Sequence, residues 1–172
     1  QTIGAERGTL TVMVGGNIAG FERAKPIIQA FAGLIEYVGE SGAGFAVKAV
    51  NNTLMATHLW ALSEGLSILK HQGVDLSGAL SCINHSSGKS TMSETVMAQK
   101  VLSRTFQKTF ALILLLKDIG IAMDLVKEGQ MKTPVFQVTQ ELFLKTDREQ
   151  AAQVDFSAAV TQLEKWNSVR LV

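Results

Sequence analysis

One cysteine in 172 residues leaves no internal disulfide to form, and Cys82 has no second thiol at CxxC spacing with which to hold a metal. That absence fits a reducing compartment, and it leaves Cys82 as a plain helix residue with the burial usual for a free thiol. The three histidines, His58, His71 and His85, share no ligand spacing and have no carboxylate cluster beside them, which argues against a metal centre. Charge of one sign is missing too. Sixteen basic against fifteen acidic residues give a formal charge of +1, so no electrostatic footprint for nucleic acid or an anionic membrane exists. The longest strongly hydrophobic run, Phe110 to Leu116, falls far short of the roughly 20 residues of a membrane-spanning helix, and reads as a buried helix face. The expected partners are small molecules or further copies of the chain, and the expected location is the cytoplasm or the mitochondrial matrix.

Several chemical signatures are absent as well. No G-x-S-x-G elbow occurs, and the glycines form no G-x-G-x-x-G. The hydroxyl-rich loop His85 to Thr91, HSSGKST, is not a P-loop, because Ile83 stands where the leading glycine would be. Neither an initiator Met nor a signal-peptide pattern opens the chain, so its start reads as a cut within something longer.

What is present is an apolar fraction of 47% against 18% charged residues, enough for one core or slightly more. Thr9 to Val14 is a β-branched and apolar run closed by Gly15-Gly16, the mark of a strand and a turn. A helix is expected after it, with Pro26 as a kink and Gly33 as its stop, then a second strand over Leu34 to Val38. From Ser41 onward only helices are expected. Val47, Val50, Leu54, Leu62, Leu66 and Leu69 recur as one stripe of a helix ending at Gly73. Asp75 caps a short helix, another covers Ser93 to Leu102, a long one runs from about Phe106 to Lys127, Thr133-Pro134 opens the next and Asp155 caps the last. The fold expected is mainly α, with residues 1–40 as a β-α-β piece and residues 41–172 as an all-α domain that begins with a long helix.

The stretch Gly42 to Asn52, GAGFAVKAVNN, carries the chemistry of greatest interest. Lys48 and Asn52 lie four apart, about 40° from each other and one turn up the same helix face, so their heads can converge on one small ligand. Gly42 and Gly44 would let that ligand approach the helix start closely. An ammonium group can donate a proton to a carbonyl oxygen that receives a hydride, and the free amine can take a proton back. An asparagine amide both donates and accepts without adding charge. The same spacing also fits a lysine at the edge of an amphipathic helix with an asparagine bonded to a loop.

Lys117-Asp118 is the second candidate. Neighbours on a helix point about 100° apart, so each is expected to find its own partner rather than pair with the other. Phe110, seven residues before Lys117 and on nearly the same face, could wall a pocket rimmed by that lysine. A solvated helix face accounts for the pair equally well.

Taken in order, GTLTVMVGG, GAGFAVKAVNN, FALILLLKDIGIAMDLVKE and KTPVFQVTQELF resemble the β-hydroxyacid dehydrogenases, the family that takes in 3-hydroxyisobutyrate dehydrogenase and tartronate semialdehyde reductase, with 6-phosphogluconate dehydrogenase more distant. The resemblance implies a Rossmann domain that binds NAD or NADP, a long interdomain helix and an all-α domain. It implies that Lys48 is the catalytic acid/base, that Asn52 holds substrate and orders the lysine, that Lys117 meets the cofactor, and that Asp118, Phe110 and Gly44 border the substrate. It further implies a small hydroxy acid or semialdehyde acid as substrate and a homo-dimer or tetramer. The dinucleotide fingerprint that precedes the first strand in this family is not in the sequence, so residues 1–40 would be the tail of the Rossmann domain and these residues alone would turn over negligibly. A helical oligomerisation or scaffolding domain that kept the fold and lost the chemistry is the rival expectation.

Overall fold

The computed structural model describes residue 4, residues 6–149 and residues 154–172. The chain forms two compact units, Gln1–Asn51 and Asn52–Val172.

In the first unit, strands β1 (Leu10–Gly15) and β2 (Ala32–Gly39) pair in parallel and are joined by helix α1 (Ile18–Ile28). A parallel pair needs such a crossover, because a hairpin cannot reverse the chain direction twice. Asn17 caps α1, its side chain accepting from the Gly20 N–H at 3.0 Å. Phe21 is buried and lies 5.5 Å from the Tyr37 ring, whose hydroxyl donates to the Gly16 carbonyl. α1 ends at Ile28, two residues after Pro26, not at Gly33 as the spacing suggested. Gly33 belongs to β2, where a Cβ would come within 3.2 Å of the Thr9 backbone, so the strand crossing is what calls for a glycine there.

Helix α2 (Ala43–His71) is 29 residues long, about 44 Å. Gly42, at φ +97°, makes the turn into it. The expected stripe is only partly inside. Val47, Val50 and Leu54 are exposed, whereas Ala49, Thr53, Ala56, Leu59, Ser63, Leu66 and Ser67 are buried. Small and hydroxyl residues form the inner face, and the buried hydroxyls of Ser63 and Ser67 satisfy themselves on the carbonyls of Leu59 and Ser63.

The second unit packs α3 (Leu76–Asn84), α4 (Met92–Leu102), α5 (Leu112–Glu128), α6 (Pro134–Glu149), a 3₁₀ turn (Phe156–Ala159) and α7 (Val160–Asn167) with the later part of α2. Leu59, Trp60, Leu66, Met97, Leu112, Leu115, Ile119, Phe143, Phe156 and Leu171 share one core. Asp75 caps α3 as expected, accepting from the Gly78 N–H at 2.7 Å. Cys82 stands on α3 but is exposed, because the buried face there is made by Leu76 and Leu80. α4 is π-helical throughout, a geometry of i→i+5 bonds that proteins seldom sustain beyond a turn.

α5 starts six residues later than the apolar run implied. Arg104 and Phe106 both adopt left-handed φ values, 58° and 42°, and the stretch between α4 and α5 is irregular. Tertiary contacts outweigh its helical tendency: the Arg104 guanidinium pairs with the nearly buried Glu164 at 2.6 Å and lies over the Phe106 ring. The apolar block itself divides, with Leu112 and Leu115 inside and Ile113 and Leu114 outside.

Candidate functional site

The second unit brings three of the expected residues together. Asn52 in α2 donates from Nδ2 to Asp118 Oδ2 on α5 at 2.6 Å, across 66 residues of sequence. Asp118 is 2% exposed although it carries a carboxylate, and its other oxygen, Oδ1, lies 2.9 Å from Lys117 Nζ. The expectation that the adjacent lysine and aspartate would each look elsewhere is therefore wrong. The 100° between their Cα–Cβ bonds is spanned by the flexible four-carbon stem of Lys117, whose side chain is 59% exposed and bends back over its neighbour.

This arrangement fixes an orientation. An amide that donates its NH₂ to a buried carboxylate turns its carbonyl oxygen the other way, so Asp118 fixes how the Asn52 amide is turned. A carboxylate taken almost wholly out of water requires such partners, and Asn52 and Lys117 supply two.

Phe110 is not on α5, so it shares no helix face with Lys117. It sits in the irregular stretch, its ring meeting Phe156 edge to face at 6.1 Å. Asp155 determines this position, a role the sequence reading did not give it beyond capping. Buried at 2% exposure, Asp155 accepts from the backbone N–H groups of Thr109 and Phe110, from Lys100 Nζ at 2.9 Å and from the Ser157 backbone and hydroxyl. Burial works against its charge, but the hydrogen bonds from Ser157, Thr109, Lys100 and Phe110 outweigh it and hold the carboxyl below its ordinary range. The bonds from Leu112 N–H to the Val154 carbonyl and from Phe156 N–H to the Phe110 carbonyl flank the same joint. An aspartate before an apolar run signals a cap; nothing local signals its reach of 46 residues back to Thr109.

In the first unit, Lys48 lies exposed on α2. Gly44 is packed against β1. A Cβ there would run into the Met13 carbonyl oxygen and come within 3.2 Å of the Gly15 nitrogen. Its missing side chain therefore serves the close crossing of helix start and strand end, which sequence spacing alone assigned to ligand approach.

The hydroxyl loop turns inward on itself. Ser90 and Ser93 exchange backbone-to-side-chain bonds of 2.8 and 3.2 Å at the start of α4, and Lys89 pairs with Glu94. Among the described residues no cluster of three or more His, Cys, Asp or Glu side chains is placed to hold a metal ion, and no helix is long and apolar enough to cross a membrane.

Residues 42–163 match the family described as the NAD-binding domain of NADP-dependent 3-hydroxyisobutyrate dehydrogenase, and residues 1–39 match the NAD-binding domain of 6-phosphogluconate dehydrogenase. Among curated proteins, 2-(hydroxymethyl)glutarate dehydrogenase of Eubacterium barkeri is 34% identical over 168 residues, covering 98% of this chain and 56% of that protein. The 2-hydroxy-3-oxopropionate reductase of Escherichia coli K12 is 33% identical, covering 94% of this chain and 55% of its own length. A solved 3-hydroxyisobutyrate dehydrogenase of Mycobacterium tuberculosis, in a structure with L-serine, superposes with a TM-score of 0.84 at 27% identity over 94% of this chain and 57% of that one. The chain thus spans just over half the length of the curated relatives it matches. With a family match across most of the helical residues and relatives of 33–34% identity over nearly all of its length, the chain belongs to the β-hydroxyacid dehydrogenase family.

Proposed function

We propose that these residues are the lysine-bearing portion of an NAD(P)-dependent oxidoreductase that interconverts a small 3-hydroxy acid and its semialdehyde or oxo acid. The observation that carries the reading is the bond from Asn52 to the buried Asp118, with Lys117 on the other carboxylate oxygen. The bond turns the Asn52 amide against a buried carboxylate, and the family membership supplies the chemistry that such a pair would serve.

In this reading Lys48 is the acid/base. As a hydride reaches the carbonyl carbon of the oxo acid, the Lys48 ammonium gives its proton to the carbonyl oxygen, leaving an alcohol and a neutral amine; oxidation runs these transfers in reverse. Asn52, four residues further along the helix, holds the substrate, its amide oriented by the bond to Asp118. Gly44 keeps the start of α2 close to β1, and Phe110 is assigned to the substrate's border.

Lys117 fits the part of cofactor contact in one respect. Its side chain is mostly solvent-exposed and an ammonium has three donors, so Lys117 can stay on Asp118 and still donate to a phosphate or ribose oxygen. NAD or NADP would supply the hydride. The β-α-β piece has the parallel pairing of a dinucleotide-binding sheet, and we assign residues 1–40 to that domain and residues 41–172 to the helical one. Exposed apolar residues at the start of α6, Val135 at 59% and Val138 at 54%, with Met131 at 61%, favour a homo-dimer or tetramer. A cytoplasmic or mitochondrial matrix setting accords with the single free thiol.

The test is turnover of the full-length protein on small 3-hydroxy acids with NAD or NADP, followed by reduced-nicotinamide absorbance, beside the same assay on residues 1–172. Activity confined to the full-length protein is expected; turnover by neither across a panel of hydroxy acids would favour the scaffolding alternative.

A further inference from the structure

The second unit holds a groove of about 590 Å³ between α2 and the C-terminal segment, walled by Glu64, Ile68, His71, Leu163, Trp166 and Val169. That volume lies within the range of roughly 300–1,000 Å³ typical of small-molecule sites. None of Asn52, Phe110, Lys117 and Asp118 lines it, and Glu64 stands twelve residues beyond Asn52, about 18 Å along the helix. The groove is separate from the array described above.

We infer that this groove binds an amphipathic cation, an alkyl- or arylammonium with an apolar body. Its walls are apolar on Ile68, Leu163, Val169 and the ring of Trp166, which is 46% exposed although large and aromatic. Trp166 is backed by Trp60, 5.8 Å away between ring centres, so its ring is presented by a packed neighbour rather than left loose. The charge on the wall is negative. Glu64 accepts from Trp60 Nε1 at 3.0 Å through Oε1, which anchors the carboxylate, while Oε2 has no hydrogen-bond partner among the described residues.

Lys70, next to His71 in sequence, is engaged elsewhere: its Nζ donates to the Val172 carbonyl oxygen at 2.8 Å. Ser67 is also spent, on the Ser63 carbonyl. His71 also lines the wall, where its ring nitrogens can hydrogen bond. A carboxylate with a free oxygen, an exposed indole face and an aliphatic floor make the combination that selects an ammonium over a neutral or anionic head of the same shape.

The chain carries its own reporter, since its two tryptophans are Trp60 and Trp166. Hexylammonium, 1-hexanol and hexanoate are titrated into the full chain while tryptophan fluorescence is followed. A saturable change is expected with hexylammonium at about tenfold lower concentration than with hexanol, and none with hexanoate. Glu64→Gln keeps an acceptor for Trp60 and removes the charge, so the advantage of the cation over hexanol should vanish while hexanol binding is unchanged. Equal binding of cation and alcohol, binding of hexanoate, an unaltered preference in Glu64→Gln, or no saturable change with any probe would each overturn the inference. None of these readouts depends on turnover, so they stand or fall apart from the proposed activity.

Discussion

Asn52 and Asp118, on helices α2 and α5 and 66 residues apart in sequence, are joined by a 2.6 Å bond whose acceptor is almost wholly buried. A bond to a charged acceptor is worth about 1.5–3 kcal/mol. A double-mutant cycle with Asn52→Ala and Asp118→Ala, read by chemical denaturation, should give a coupling within about 0.5–3 kcal/mol. A coupling of zero would mean that the two side chains act independently.

Asp118→Asn tests orientation rather than charge balance alone. The substituted amide can present its NH₂ to Asn52 and reverse the acceptor, so kcat of the full-length protein should fall about tenfold or more with a smaller change in KM, if the Asn52 carbonyl must face the substrate. An unchanged kcat would remove Asp118 from that role.

Lys48→Ala in the full-length protein should lower kcat by about 10²–10⁴-fold, the span of a lost general acid, with cofactor affinity measured by fluorescence titration left largely intact. Turnover within twofold of the parent protein would refute the assignment.

Asp155 should shape the acid limb of stability. Its carboxyl is held below the ordinary value in the folded chain, so the stabilisation is fully present above the unfolded value of about 3.9 and is lost as pH falls through the folded one. Asp155→Asn should flatten that part of the unfolding curve. Asp155→Ala, which strands the buried Lys100 contact and two backbone N–H groups, should cost about 3–5 kcal/mol at neutral pH. A neutral substitution would show that the joint between Thr109 and Phe156 is held by other contacts.

Gly44→Ala separates packing from ligand access. A methyl group directed at the Met13 carbonyl should destabilise the first unit by about 1–3 kcal/mol, visible in thermal unfolding without any ligand. An unaltered melting profile paired with a raised KM would return Gly44 to a purely substrate-facing role.

The sequence conveys much of this architecture because its signals are local. Asp75 and Asp155 announce their caps by standing before apolar runs, and the β-branched stretch ending at Gly15 announces β1. The errors cluster where distant groups decide. Arg104 and Phe106 leave helical geometry for Glu164, which lies 60 residues on. Gly33 punctuates a helix by composition and a strand crossing by contact. For the site, spacing alone could put Lys48 and Asn52 on one face but could not find the Asp118 partner, since a link between α2 and α5 leaves no period in the chain. The order of motifs singled out Asn52, Lys117 and Asp118, while the way Lys117 folds back on Asp118 depends on a rotamer that no spacing rule contains.

Met92 and Val101 bear on how this family can vary in length. Both are buried, at 3% and 0% exposure, yet nine residues separate them, and on an ordinary α-helix that interval would set them on opposite sides, about 180° apart. The wider turns of α4 return them to one face. An α-helix would need only about seven residues for the same two turns, so a homologue two residues shorter here can bury the same pair and keep every later helix in place. A two-residue deletion within Met92–Leu102 should therefore be tolerated, whereas a one-residue change turns the pair out of phase.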